Sequence, residues 1–169
     1  SFTGSVETGA HVAARCAARL AKVQLEMGGK NPLIVLDDTD LPTAVTCAVQ
    51  VAFYSTGPRC TASSRLIVTE GLHDRFVEST IERMKTLRVG DAPEAGTEIG
   101  PVVAKSQMEK DLEYLDLGKE EGAKLATGGQ RVKRDKEGYY LEPALFTDTA
   151  PDMRINRDEI FGPIASVIR

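Results

Sequence analysis

Val6, Ala10, Ala13, Cys16, Ala17 and Leu20 recur at helical spacing through an alanine-rich stretch, which predicts a helix over residues 5–21. In "DLPTAVTCAVQVAFYS", Asp40 is suited to the N-cap and Pro42 to the first turn. The helix that follows is apolar nearly all round, so Cys47 is expected in the core. "HDRFVESTIERMKTL" puts Val77, Ile81, Met84 and Leu87 on one side, and "KSQMEKDLEYLDLGKEEG" turns Met108, Leu112 and Leu115 inward, with Gly122 as its stop. Between these helices lie runs that read as strands: the opening Ser1-Phe2-Thr3, "KVQLEMGG", "NPLIVLDD", "SRLIVTEG", "AKLATGG", "GYYLEPALFTDT" and "GPIASVIR". "NPLIVLDD" reads as a strand buried on both faces. Alternating strands and helices predict an α/β fold, a largely parallel sheet flanked by helices. Both ends of the chain read as elements cut short, as expected for a piece of a longer polypeptide.

Composition narrows the partners. The chain is 41% hydrophobic and 27% charged, enough for a packed core, and its net charge of −4 is spread without a basic run. A small-molecule substrate is therefore expected, with no nucleic acid and no membrane as partner, and a cytoplasmic location is the default reading. Cys16, Cys47 and Cys60 form no C-x-x-C pair, so neither a disulfide framework nor a metal site is expected. His11 and His73 read as surface or structural residues. The "GGK" at 28–30 is not a phosphate loop, because Gln24 and Asn31 stand where Gly and Ser or Thr would be needed.

Cys60 differs from the other two cysteines in its polar, Gly/Pro-broken surroundings, "FYSTGPRCTASSR". Ser55 or Thr56 as cap and Pro58 as first residue would start a short helix there. Cys60 would then lie in the first turn, where free N–H groups and the adjacent Arg59 favour a thiolate. An inert loop thiol is the competing reading, and local features leave both open. Glu26, a carboxylate within the extended "LEMGG", would suit general-base work if burial raised its pKa. An exposed strand glutamate is the other possibility, and spacing alone does not pair Glu26 with Cys60.

Four motifs then occur in order: "FTGS" at 2–5, "LEMGGKNP" at 25–32, G-x-x-C-x-A-x-x-R at 57–65 and "EIFGP" at 159–163. Together they resemble the NAD(P)-dependent aldehyde dehydrogenases, and the resemblance runs through the whole chain. The wording of "KVQLEMGGKNPLIVLDDTDL" and "CTASSRLIVTEGLHDRF" is most similar to the branch that oxidises 2-oxoglutarate semialdehyde, with succinate semialdehyde dehydrogenases as close neighbours. The resemblance implies Cys60 as the nucleophile that forms a thiohemiacetal and then a thioester. It implies Glu26 as the base that activates water, and the Cys60 N–H as half of an oxyanion hole. Gly4 and Ser5 would lie beside the cofactor pyrophosphate, Glu159 and Phe161 beside the nicotinamide ribose and ring, and Lys30 and Asn31 would support the site. NAD or NADP is the implied cofactor.

By the same resemblance residues 1–24 end a nucleotide-binding domain and residues 25–169 belong to a truncated catalytic domain of a subunit that assembles as a homo-oligomer. The segment alone is expected to be inactive. Pro58 departs from the family's usual Gln. Arg59 could attract a substrate carboxylate, although a solvated loop arginine is the plainer reading. A non-catalytic module that keeps the fold, and a simple Cys/Glu hydrolase, are the rival functions.

Overall fold

The computed structural model describes residues 1–169. A small unit comes first: strand β1 (Phe2–Gly4), helix α1 (Val6–Ala17) and strand β2 (Leu25–Met27), with β1 and β2 paired in parallel. The small unit thus spans Phe2–Met27. Ser5 caps α1 by accepting the Thr8 N–H at 3.2 Å.

The main sheet has five strands in the order β3 (Pro32–Val35), β4 (Arg65–Val68), β9 (Ile164–Ile168), β8 (Ala144–Thr147) and β5 (Lys124–Thr127). All neighbours are parallel except β5, which runs antiparallel to β8 along the edge. Helices α2 (Leu41–Phe53) and α3 (His73–Lys85) cover one face, and α4 (Lys105–Glu120) and the short α5 (Arg154–Arg157) cover the other. Strands β6 (Arg131–Val132) and β7 (Tyr140–Leu141) form a small arm around the charged turn. Leu145, Ala165 and Val167 point to the α2–α3 side, while Ala144, Phe146 and Ile164 point to the α4–α5 side. Strands β8 and β9 are thus buried on both faces, and their runs are apolar except for Thr147 and Ser166. Full burial of side chains such as Phe53, Phe76 and Phe146 contributes about 2 kcal/mol each.

Two expectations fail for identifiable reasons. Strand β3 lies at the sheet edge, so only Leu33 and Val35 meet the core, while Ile34 is 61% exposed. Cys47 is exposed rather than buried. On α2 the buried residues are Ala44, Val45, Ala48, Val49, Ala52 and Phe53, and Thr43, Thr46, Cys47 and Gln50 form the opposite stripe at the same helical spacing. Asp40 does cap α2, accepting the Thr43 N–H at 3.0 Å.

After α2 the backbone turns left-handed at Ser55, Thr56 and Gly57. Gly57, at φ +77°, backs onto the carbonyl of Gly162, where a Cβ would have no room. Gly57→Ala therefore combines left-handed strain with a backbone collision and is expected to destabilise the fold by at least about 2 kcal/mol. Gly29→Ala, at a site with nothing nearby, should stay within about 0.5 kcal/mol of the parent. Urea unfolding of the two variants reads the contrast directly.

Candidate active site

Strands β3, β4 and β9 are adjacent and parallel, with Pro32 opposite Arg65 and Arg65 opposite Ser166. The segments that lead into them, 28–31, 57–64 and 158–163, are therefore delivered to one end of the sheet. These segments hold Lys30 and Asn31, Cys60, and Glu159 and Phe161.

Cys60 does not stand at a helix start. The chain stays non-helical from Gly57 to Ser64, and Cys60 is an exposed residue in a tight turn closed by the Ala62 N–H donating to the Arg59 carbonyl at 3.0 Å. The left-handed residues before Pro58 end α2 instead of starting a new helix. Their consequence is that the turn hangs from the C-terminal end of α2: Ser63 N–H donates to the Val51 carbonyl, and the Arg59 guanidinium donates to Gln50 and Val51 carbonyls at 2.8 and 3.0 Å. Carbonyls at a helix C-terminus carry partial negative charge, so a cation beside them is favourable. Arg59 is thereby engaged in holding the turn and is not simply a solvated loop arginine, the plainer reading of its sequence. On the other side, Asn31 Nδ2 donates to the Cys60 carbonyl at 2.7 Å. The Cys60 N–H donates to no group of the chain.

Glu26 lies on β2, exposed, and accepts from Gln24 Nε2 at 3.1 Å. Of the two readings its sequence left open the structure has the exposed one, because β2 pairs only with β1. Two residues on, Gly28 backs onto the Glu159 carboxylate, leaving no room for a side chain. Glu159 Oε1 is buried with no donor. Lys30 Nζ is likewise buried without a partner. Burial lowers its pKa to about 8, Arg65 adds to this, and Asp158 and Glu159 oppose it. Phe161 is exposed and holds a left-handed φ of +66°, a costly conformation for an aromatic residue. The structure thus joins Cys60, Asn31, Lys30, Glu159 and Phe161 around one sheet end. Gly4, Ser5 and Glu26 belong to the small unit, connected through residues 28–31.

Residues 1–169 match the sequence pattern of the aldehyde dehydrogenase family along their whole length. The chain belongs to that family. It is 43% identical over 171 residues to the alpha-ketoglutaric semialdehyde dehydrogenase of Bacillus subtilis, a match that spans all of this chain and 35% of the relative. It is 44% identical over 170 residues to the betaine aldehyde dehydrogenase of Brucella anthropi, covering 99% of this chain and 35% of that protein. Among solved structures, the Staphylococcus aureus betaine aldehyde dehydrogenase in complex with NAD+ superposes with a TM-score of 0.94 at 39% identity, over 99% of this chain and 34% of that one. The chain thus spans about a third of the length of the dehydrogenases it matches, and their likeness establishes the α/β fold described above.

The Lys30 shift carries a stability consequence. Its pKa in the folded protein lies below the unfolded value, so folding disfavours the charged amine. The cost is fully present below pH 8 and is relieved as pH rises towards 10.5, where the unfolded chain also loses the proton. Lys30→Met is expected to raise stability by about 1–2 kcal/mol at pH 7, solvent screening limiting the gain. The gain should shrink between pH 8 and pH 10, as read by unfolding midpoints across that range.

Proposed function

We propose that this segment carries the reacting residues of an NAD(P)-dependent aldehyde dehydrogenase, with Cys60 as nucleophile and Glu26 as base. The observation that carries the reading is the convergence of the Cys60 turn with the 158–162 turn, backbone to backbone across Gly57 and Gly162, in a chain of this family. Cys60 Sγ attacks the aldehyde carbon, and the oxygen that gains charge is met by the unpartnered Cys60 N–H. A bound NAD(P)+ would supply the hydride acceptor, and on loss of that hydride Cys60 would hold the acyl group as a thioester. Glu26, exposed to water, takes a proton as water adds to the thioester carbonyl, the carbon–sulfur bond breaks to release thiolate and carboxylic acid, and the acid loses its proton to solvent.

Features of the chain fit the cofactor. The buried Glu159 Oε1, lacking a donor, suits a ribose hydroxyl. Gly4 and Ser5, at the start of α1, suit pyrophosphate oxygens, and the exposed Phe161 suits the nicotinamide ring. Residues 1–24 are read as the end of a cofactor domain and the remainder as catalytic domain. A homo-oligomeric full-length protein is part of the reading. Three free cysteines suit a reducing compartment, which supports a cytoplasmic location, and no helix is long and apolar enough to cross a membrane.

For substrate we propose an anionic semialdehyde such as 2-oxoglutarate semialdehyde, on the wording of residues 22–41 and 60–76 and the 43% identity to the Bacillus subtilis enzyme. With the full-length protein, 2-oxoglutarate semialdehyde should be oxidised faster than succinate semialdehyde or betaine aldehyde. A preference for betaine aldehyde would overturn the substrate reading and leave the chemistry standing.

The chemistry has its own tests. Cys60→Ser should lower aldehyde-dependent NAD(P)H production on the order of 10³-fold or more, while Cys47→Ser, equally exposed, should not. Glu26→Gln should keep the initial burst of reduced cofactor and slow steady turnover about 10²-fold. Residues 1–169 alone should turn over no aldehyde.

A further inference from the structure

One face of α4 carries four polar side chains at positions i, i+3, i+4 and i+7: Gln107, Lys110, Asp111 and Tyr114. Each meets the 158–162 turn. Tyr114 Oη donates to Asp158 Oδ2 at 2.9 Å, and Lys110 Nζ donates to the Glu159 carbonyl at 2.8 Å. Gln107 Nε2 is shared between the Ile160 carbonyl at 3.0 Å and Asp111 Oδ1 at 2.7 Å. The Asp111 carboxyl itself lies against Gly162, where a side chain would have no room. Asp158, Glu159, Ile160 and Gly162 are thus each met from α4. Phe161, between them, is the residue with the left-handed backbone.

Asp111 stands out within this row. It is fully buried, its Oδ2 has no donor, and it sits on the apolar side of α4 with Met108 and Leu115. A carboxyl in such a place costs stability unless both oxygens are hydrogen-bonded or paired, and here one is not. Gly162 is pressed from one side by this carboxyl and from the other by Gly57 of the Cys60 turn. Asp111 therefore backs both the segment that bears Phe161 and, through Gly162, the segment that bears Cys60.

We propose that Asp111 is a positioning residue: by fixing Gln107 and seating Gly162 it sets the pose in which Glu159 and Phe161 meet the nicotinamide half of the cofactor. The proposal rests on the reading of Glu159 and Phe161 as cofactor contacts. Burial, opposed by the Gln107 hydrogen bond and by Lys110, pushes Asp111 up to about 6, consistent with a dry seat beneath the turn. What the turn requires of residue 111 is an acceptor for the Gln107 amide in a side chain of this volume. Asparagine supplies both, and leucine supplies only the volume.

The test uses the full-length protein and two readouts, the dissociation constant of NADH by fluorescence titration and the split between KM for NAD+ and kcat. Asp111→Leu should weaken NADH binding at least about tenfold and raise KM for NAD+ in step, the scale expected when a contacting group is displaced. Asp111→Asn should stay within about threefold of the parent, a rescue that general loss of packing would not produce. Should Asp111→Leu fail to fold, Asp111→Ala serves the same comparison without added bulk. Phe161→Ala separates the levels. If it weakens NADH binding and the Asp111 variants do not, the positioning role is wrong while the cofactor reading stands. If neither weakens binding, the cofactor reading of the turn falls and the proposal falls with it.

Discussion

The parallel pairing of β3, β4 and β9 is the constraint on which the site depends. A parallel register aligns strand starts as well as strands. The segments 28–31, 57–64 and 158–163, far apart in the chain, therefore arrive together because each immediately precedes one of the three strands. Alignment alone would leave them at ordinary strand spacing. Gly57 and Gly162 remove the remaining distance, since neither carries the side chain that would hold the two backbones apart. In open α/β sheets ligands usually gather at the carboxyl ends of strands. Here the candidate chemistry gathers at the opposite end, where loops enter the sheet.

Around that junction several buried polar atoms lack partners: Lys30 Nζ, Asp111 Oδ2 and Glu159 Oε1. Each carries a desolvation cost that a core built only for stability would avoid. They lie at one end of the sheet, beside the left-handed Phe161, whereas Phe53, Phe76 and Phe146 are buried within the apolar clusters between the sheet and its helices. The fold spends stability from the helix-covered layers on holding a few groups in unfavourable settings.

The sequence made the layers legible because the stripes of α1, α3 and α4 and the mostly apolar runs of β8 and β9 depend on local spacing. Cys47 was misread because the stripe Thr43, Thr46, Cys47, Gln50 is weakly polar and its cysteine looks apolar. The Cys60 turn was misread for a different reason. Gly57-Pro58 fits a helix start locally, yet the chain is already committed to closing α2, and Arg59 is drawn to the carbonyls that close it. For Glu26 the sequence left burial and exposure open, and a strand with a single partner buries little. Asp111 escaped notice although its signal was present, a carboxylate on the apolar stripe of α4 that also carries Met108 and Leu115. Which loop that carboxylate would support was beyond local spacing, since the answer lies some fifty residues away at Gly162 and comes from the tertiary fold.

The engagement of Arg59 bears on what this segment contributes to selectivity. The chain is about equally identical to a dehydrogenase named for an acidic semialdehyde and to one named for a quaternary ammonium aldehyde. A loop that read substrate charge beside the thiol would have to differ between two such enzymes. An arginine that donates into the end of α2 can serve either, because its guanidinium is held by the Gln50 and Val51 carbonyls and its role is to hold the turn. The Cys60 turn, the 158–162 turn and the α4 row that grips it are thus read as machinery for a step shared across the family. On that reading, discrimination by charge belongs to side chains that line the approach to Cys60 and not to the turn that presents it.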